Sequence, residues 1–191
     1  VFKTRTLLID SKTNTNIRKS PLFPKYETFA DFLSNTIIGK RKHTISEFFY
    51  RTQHIQQLGG YQIYPAGYYA DDASILLFCN NNGIASTEES LIVYRKSENN
   101  ISSSSCWNVE KSKAALKYYQ WIIDEFPMKQ QDEQIIQQRL DFDLYTYFSA
   151  ALNIHQSIQI LNCIPVNIWN WKKKLLCLYK FILNSYAKQI K

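Results

Sequence analysis

Two adjacent carboxylates, Asp71 and Asp72, are the residues in this chain best suited to chemistry. They lie in the stretch Phe48 to Ile75, FFYRTQHIQQLGGYQIYPAGYYADDASI. Paired glycines, Gly59 and Gly60, lead into a loop from Tyr61 to Tyr69 that carries four tyrosines and Pro65. A carboxylate pair beside such a loop can take a proton from a polar substrate or hold a cation. The tyrosines offer flat apolar faces with a hydroxyl, which suits sugar rings and equally suits packing. A plainer reading of the acids is a helix cap, since aspartate oxygens accept the orphan amide hydrogens of a first turn. The apolar run Ala73 to Cys79, directly after the pair, is where that helix would lie.

Other reactive groups are less organised. His43 and His54 have no partner placed by spacing and read as structural or exposed. Cys79, Cys106, Cys163 and Cys177 form no C-x-x-C pair, which argues against zinc and for free thiols in a reducing cytosol. Gly39-Lys40-Arg41-Lys42-His43 reads as a solvated basic turn, with a phosphate contact as the sharper alternative. The one Asp-x-Asp, Asp141-Phe142-Asp143, falls in a helical pattern after the acidic pair and is not read as a metal motif.

The elements that must position these groups follow from patterning. With 191 residues, 45% hydrophobic and 15% aromatic, the chain is globular and long enough for one domain or slightly more. Strands are predicted at about 2–9, 44–51 and 84–94, and helices at 26–38 and 72–80. A short helix over Thr52–Leu58 ends at Gly59-Gly60 in the manner of a C-cap. The polar loop Ser97–Ser105 marks a boundary, and its Asn100-Ile101-Ser102 is a formal glycosylation sequon only. Beyond it, helices are predicted at 107–126, 130–152, 153–161 and 167–190. This gives an α/β class, α+β in arrangement, with domains at 1–105 and 106–191.

The net charge of +7 and pI near 9.1 suit an anionic partner. No zinc-finger spacing, RNP sequence or heptad repeat is present, so nucleic acid is not the expected partner. No apolar run reaches the roughly 20 residues that span a bilayer, no signal peptide opens the sequence, and Val1 is not a natural start. The last helix places Ile168, Trp171, Leu175, Leu178, Ile182 and Tyr186 on one side. It also carries Lys172, Lys173, Lys174, Lys180, Lys188 and Lys191 with no acid. Such a stripe reads either as core or as an interfacial surface for an anionic membrane.

The order Phe48-Phe49-Tyr50-Arg51, Gly59-Gly60-Tyr61, Asp71-Asp72, Gly83 and Tyr94-Arg95 resembles the C-terminal, acceptor-side half of family 2 glycosyltransferases of the GT-A fold. The resemblance covers roughly residues 1 to 105 and is strongest over Arg51 to Ser102. It implies a partial GT-A-like mixed sheet and inverting transfer from a nucleotide-sugar to a hydroxyl of a glycan or lipid-linked glycan, in polysaccharide biosynthesis. By position, Asp72 is the implied catalytic base and Asp71 stands where the family often has Glu. Arg51, Gly59, Gly60, Tyr61, Tyr68, Tyr69 and Arg95 are the implied substrate contacts.

The chain departs from that family in one large respect. The nucleotide-binding half with its Asp-x-Asp is not in this sequence. A divalent metal, Mg or Mn, is therefore expected in the full-length enzyme and none in this chain, which by itself is expected to be inactive. The incomplete sheet implies an exposed edge and association with a second copy or with other residues. The implied place is the cytoplasm, peripheral at the inner membrane face. The alternative is a non-catalytic helical interaction or scaffold domain at a membrane surface.

Overall fold

The computed structural model describes residues 1–191 except 11, 14, 42, 43, 81, 97–103, 190 and 191, and for 89–91, 96 and 184–189 it describes the backbone only. His43, the sequon, Lys191 and the side chains of Tyr186 and Lys188 thus lie outside the described residues. The chain gathers into two compact units. One takes Val1–Ile63 and Tyr69–Asn100; the other takes Tyr64–Tyr68 and Ile101–Lys191.

The first unit is a mixed sheet with helices, so the fold is α/β in class and α+β in arrangement. Its strands are β1 (Phe2–Asp10), β2 (Asn16–Lys19), β3 (Tyr26–Glu27), β4 (Phe48–Phe49) and β5 (Ile84–Lys96). The order is β2-β1-β5-β3, with β4 also pairing β1. β1 and β5 run parallel, Phe2 opposite Ala85 and Asp10 opposite Lys96. Parallel neighbours need a long crossover. Here the crossover carries α1 (Phe29–Ile37), α2 (Thr52–Gln57) and α3 (Ala70–Cys79).

Three expected elements differ, the last being the helix predicted at 167–190, which begins at Trp171 and leaves Ile168 of its stripe outside it. The helix predicted at 26–38 starts later, because Tyr26–Glu27 joins β5 and the Thr28 hydroxyl caps α1 by accepting the Asp31 N–H at 3.2 Å. The strand predicted at 44–51 shrinks to β4. Ahead of it Ile45–Glu47 forms a 3-10 turn. Thr44 and Glu47 carry the capping-box spacing, and the Glu47 carboxylate accepts the Thr44 N–H at 3.3 Å.

That turn carries Glu47 into the core. Its Oε2 lies 3.0 Å from Lys3 Nζ, and both side chains are almost fully enclosed. Lys3 Nζ also sits 3.1 Å above the Phe23 ring centroid. Burial lowers the Lys3 pKa, while the Glu47 charge pulls it back up. The start of β1 therefore hides its lysine and leaves Phe2 60% exposed. Arg41 of the basic turn is bidentate on Glu27, at 3.1 and 2.7 Å, so this member holds the fold together. Gly83 links α3 to β5 at φ +60. A Cβ there would lie 2.4 Å from the Glu27 carbonyl oxygen, a backbone atom that has no rotamer to escape into.

The second unit is helical: α4 (Asn108–Glu125), α5 (Gln130–Ser149), α6 (Ile154–Cys163) and α7 (Trp171–Gln189). Pro127 and Pro165 fall between helices, where a missing N–H is harmless. The Asp-x-Asp lies inside α5 and fastens it to its neighbours. Asp143 accepts the Tyr119 hydroxyl at 2.6 Å and pairs with Arg139 at 3.4 Å. Asp141 accepts from the Trp169 indole N–H and from the Lys173 ammonium.

The stripe predicted on α7 is turned outward. Trp171 and Leu175 are each 65% exposed, Ile182 is 37% exposed and Leu178 is half-buried. The buried side holds Cys177 and Lys174, whose ammonium donates to the Ile164 carbonyl, with Phe181 edge-on to Phe148 at 5.8 Å. Among the described residues no helix is long and apolar enough to cross a membrane.

The four thiols separate by environment. Burial pushes Cys79 up to about 12 and also raises Cys163 and Cys177, whereas Cys106 is exposed. A raised pKa and burial both suppress the reactive thiolate. Native labelling with Ellman's reagent at mild alkaline pH is expected to read one fast thiol, with the other three appearing on denaturation. A fast thiol that persists in Cys106→Ser would contradict this arrangement.

Candidate functional site

The acid pair belongs to the first turn of α3. The body of that helix is fixed by burial: Ala73, Ile75, Leu76 and Cys79 have no exposed surface and Phe78 is 1% exposed. Ser74 ties the turn to the preceding chain, accepting the Gln62 N–H at 2.9 Å and donating to the Ala70 carbonyl at 2.6 Å. The N-cap is Tyr69, which supplies no capping side chain and sits at φ +65, ψ 1. A bulky residue in the left-handed region is strained. Among the described residues only Ala66 and Tyr69 share this non-glycine conformation, and both precede the acids closely.

Asp71 and Asp72 are therefore inside the helix and not at its cap. Asp71 Oδ1 accepts the Asp72 N–H at 3.1 Å, so part of the capping role is realised. Both carboxylates remain partly exposed. The helix N-terminus favours their negative charge.

Beside the acids lies an aromatic cluster centred on Phe78. Tyr50 meets it edge-on at 5.0 Å, Tyr61 at 5.5 Å and His54 at 6.5 Å. His54 Nε2 donates to the Phe78 carbonyl at 3.0 Å, which fixes its ring against α3. Burial raises the Tyr50 phenol pKa strongly, and the neighbouring Cys79, Tyr61 and Asp71 groups push the same way. Tyr50 therefore stays a neutral phenol.

On the same unit a cleft of ≈ 590 Å³ opens between the start of β1, β4 and α2. Phe2 and Phe49, more than half exposed, offer ring faces; Arg51, Gln53, Gln57 and Asn82 offer planar polar groups. Apolar walls with a few convergent polar groups are the usual make-up of a small-molecule site. Of the residues singled out from sequence, Phe49, Tyr50, Arg51 and His54 line this cleft. Phe2, Gln53, Gln57 and Asn82 are the lining residues that the sequence reading does not reach. Gln53 and Gln57 lie one turn apart on α2, a spacing that could have flagged them.

None of the remaining site residues, Asp71 and Asp72 included, is in its lining. Gly59 and Gly60 sit at φ +82 and +85 with nothing near a Cβ, so conformation and not crowding asks for glycine. Tyr61 is half exposed on Phe78. Tyr69 precedes the acids in the first unit. Tyr68 groups with the helical unit, edge-on to Tyr147 at 5.9 Å, with Lys111 Nζ 5.3 Å from its ring. In the same segment Tyr64 is buried on Tyr118, and burial pushes its phenol up to about 12. Arg95 is exposed opposite Ile9, roughly 23 Å along the strands from the Phe2 end. It does not join the cleft.

The acids do not make a divalent-metal set. Among the described residues no three His, Cys, Asp or Glu side chains gather, and Asp141 and Asp143 are engaged by Trp169, Lys173 and Tyr119. In comparisons with known proteins, no family model, no curated protein and no solved structure matches this chain.

Proposed function

We propose that this chain is the acceptor-side part of a nucleotide-sugar-dependent, inverting glycosyltransferase of polysaccharide biosynthesis. The observation that carries the reading is the acid pair: two partly exposed aspartates in the first turn of a buried helix, directly after a strained tyrosine that supplies no capping side chain. In the proposed step Asp72 accepts the proton of the acceptor hydroxyl. The freed oxygen lone pair forms the new bond to the anomeric carbon, and the bond from that carbon to the diphosphate oxygen breaks with its electrons. Asp71 adds negative charge beside the base. The aromatic and amide groups of the Arg51 cleft suit a sugar's apolar face and hydroxyls. The reading includes a cytoplasmic place, peripheral at a membrane face.

The test uses the protein encoded by the whole gene. Asp72→Asn keeps shape and removes basicity, and transfer is expected to fall by about 10²–10⁴, the usual contribution of a general base. KM for the acceptor should change much less than kcat. Wild-type turnover by Asp72→Asn would sink the assignment. A second reading, a non-catalytic interaction module, is favoured by the outward apolar side of α7.

A further inference from the structure

The described part of α7 is amphipathic in the reverse of the usual sense. Its protein-facing side carries Lys174, Cys177 and Phe181. Its outer arc carries Trp171, Leu175, Leu176, Tyr179, Ile182 and Leu183, from 37% to 65% exposed. At 100° per residue these six occupy about 140° of the helix circumference. Single exposed leucines are ordinary; six large apolar side chains gathered on one arc are not.

The charges around the arc indicate its occupant. Lys172 lies within it and Lys180 borders it, and both are exposed. Lys173 and Lys174 are engaged, by Asp141 and by the Ile164 carbonyl. The helix sequence contains no acid. Apolar side chains with Trp and Tyr among them, flanked by lysines, are the composition of a helix lying in a bilayer interface. A second copy fits less well, because an isologous contact would set these lysines against their own counterparts in a chain of net charge +7.

We infer that the outer arc of α7 is a membrane-docking surface, taking an anionic phospholipid bilayer with Trp171, Leu175, Tyr179 and Ile182 at the acyl boundary and Lys172 and Lys180 on the headgroups. This gives a surface to the peripheral placement proposed above and does not depend on the transferase reading. Its readout is lipid binding alone, so failure here leaves the Asp72 test untouched, and the reverse holds as well.

The experiment is vesicle flotation of the full chain with phosphatidylcholine vesicles, with and without phosphatidylglycerol. Recovery is expected with the anionic vesicles, falling as salt is raised. Lys172→Glu with Lys180→Glu should weaken that binding by about 30-fold or more. Leu175→Ser with Tyr179→Ser should weaken it by about 100-fold. All four residues are exposed, so unchanged circular dichroism is expected and checks that the variants fold. A blue shift of tryptophan emission on vesicle addition, lost in Trp171→Phe, reports the arc itself. Equal recovery with neutral and anionic vesicles overturns the inference. So does no recovery with either, including the case where the chain instead self-associates through Leu175 and Tyr179.

Discussion

Glu47→Ala is expected to destabilise the chain by about 3–5 kcal/mol, because it strands the Lys3 ammonium in the core. The pair is enclosed at 3.0 Å, and the other groups over the Lys3 ammonium are the Phe23 and Phe48 rings, at 3.1 and 5.7 Å. Urea unfolding followed by circular dichroism measures the loss. The double variant Lys3→Met, Glu47→Leu removes both charges at similar volume and should recover most of it. A loss below about 1 kcal/mol in Glu47→Ala would show the pair to be hydrated.

The pH dependence has a defined sign. The folded pKa of Lys3 lies below its ordinary value of 10.5, with burial the leading cause. The charged form is thus penalised in the fold. The penalty is full below the folded pKa and fades as pH rises from that value towards 10.5. Glu47→Ala enlarges it, so the variant should regain stability on alkaline titration more steeply than the wild type.

Trp169→Ala is expected to cost about 3–5 kcal/mol, the range for deleting a large aromatic from a packed core. Trp169 has no exposed surface, meets Phe148 edge-on at 6.4 Å, and lies 4.7 Å beneath the Lys173 ammonium. Its indole N–H is one of two donors to Asp141. Trp169→Phe keeps much of the apolar volume and loses that donor, so about 1.5–3 kcal/mol should remain lost. Trp171, two residues on and 65% exposed, is the internal control: Trp171→Ala should stay within about 0.5 kcal/mol. Equal losses at 169 and 171 would mean that α7 faces the other way.

Much of the secondary structure was legible in the sequence. α3 and β5 follow from an apolar run, a glycine turn and a β-favouring run, and the four late helices from apolar spacing broken by Pro127 and Pro165. Local patterns set these elements. The β4 region was misread because its hydrophobic residues suit a strand while Thr44 and Glu47 encode a capped turn. The acid pair was legible as two carboxylates at the start of a helix. The cleft was not, because Phe2, Gln53 and Asn82 lie far apart in sequence and meet only when β1 pairs with β4 and β5.

What the sequence determined by itself is β1, β5, α3 and the four late helices, with the acids at the head of α3; β2 and β3 come from pairing with β1 and β5, and Tyr64–Tyr68 groups with the helical unit. The tertiary structure decided which face of each element is hidden. In α7 the same periodicity serves a core or an interface, since spacing records only that apolar residues share a side. Trp169, wedged against Phe148 and bonded to Asp141, fixes how the helix leaves the core, and Lys173 on Asp141 and Lys174 on the Ile164 carbonyl then hold their side of it inward. Lys3 is hidden for the same kind of reason. A buried charge is tolerated only with a partner, and Glu47 reaches it through a fold that no local window contains.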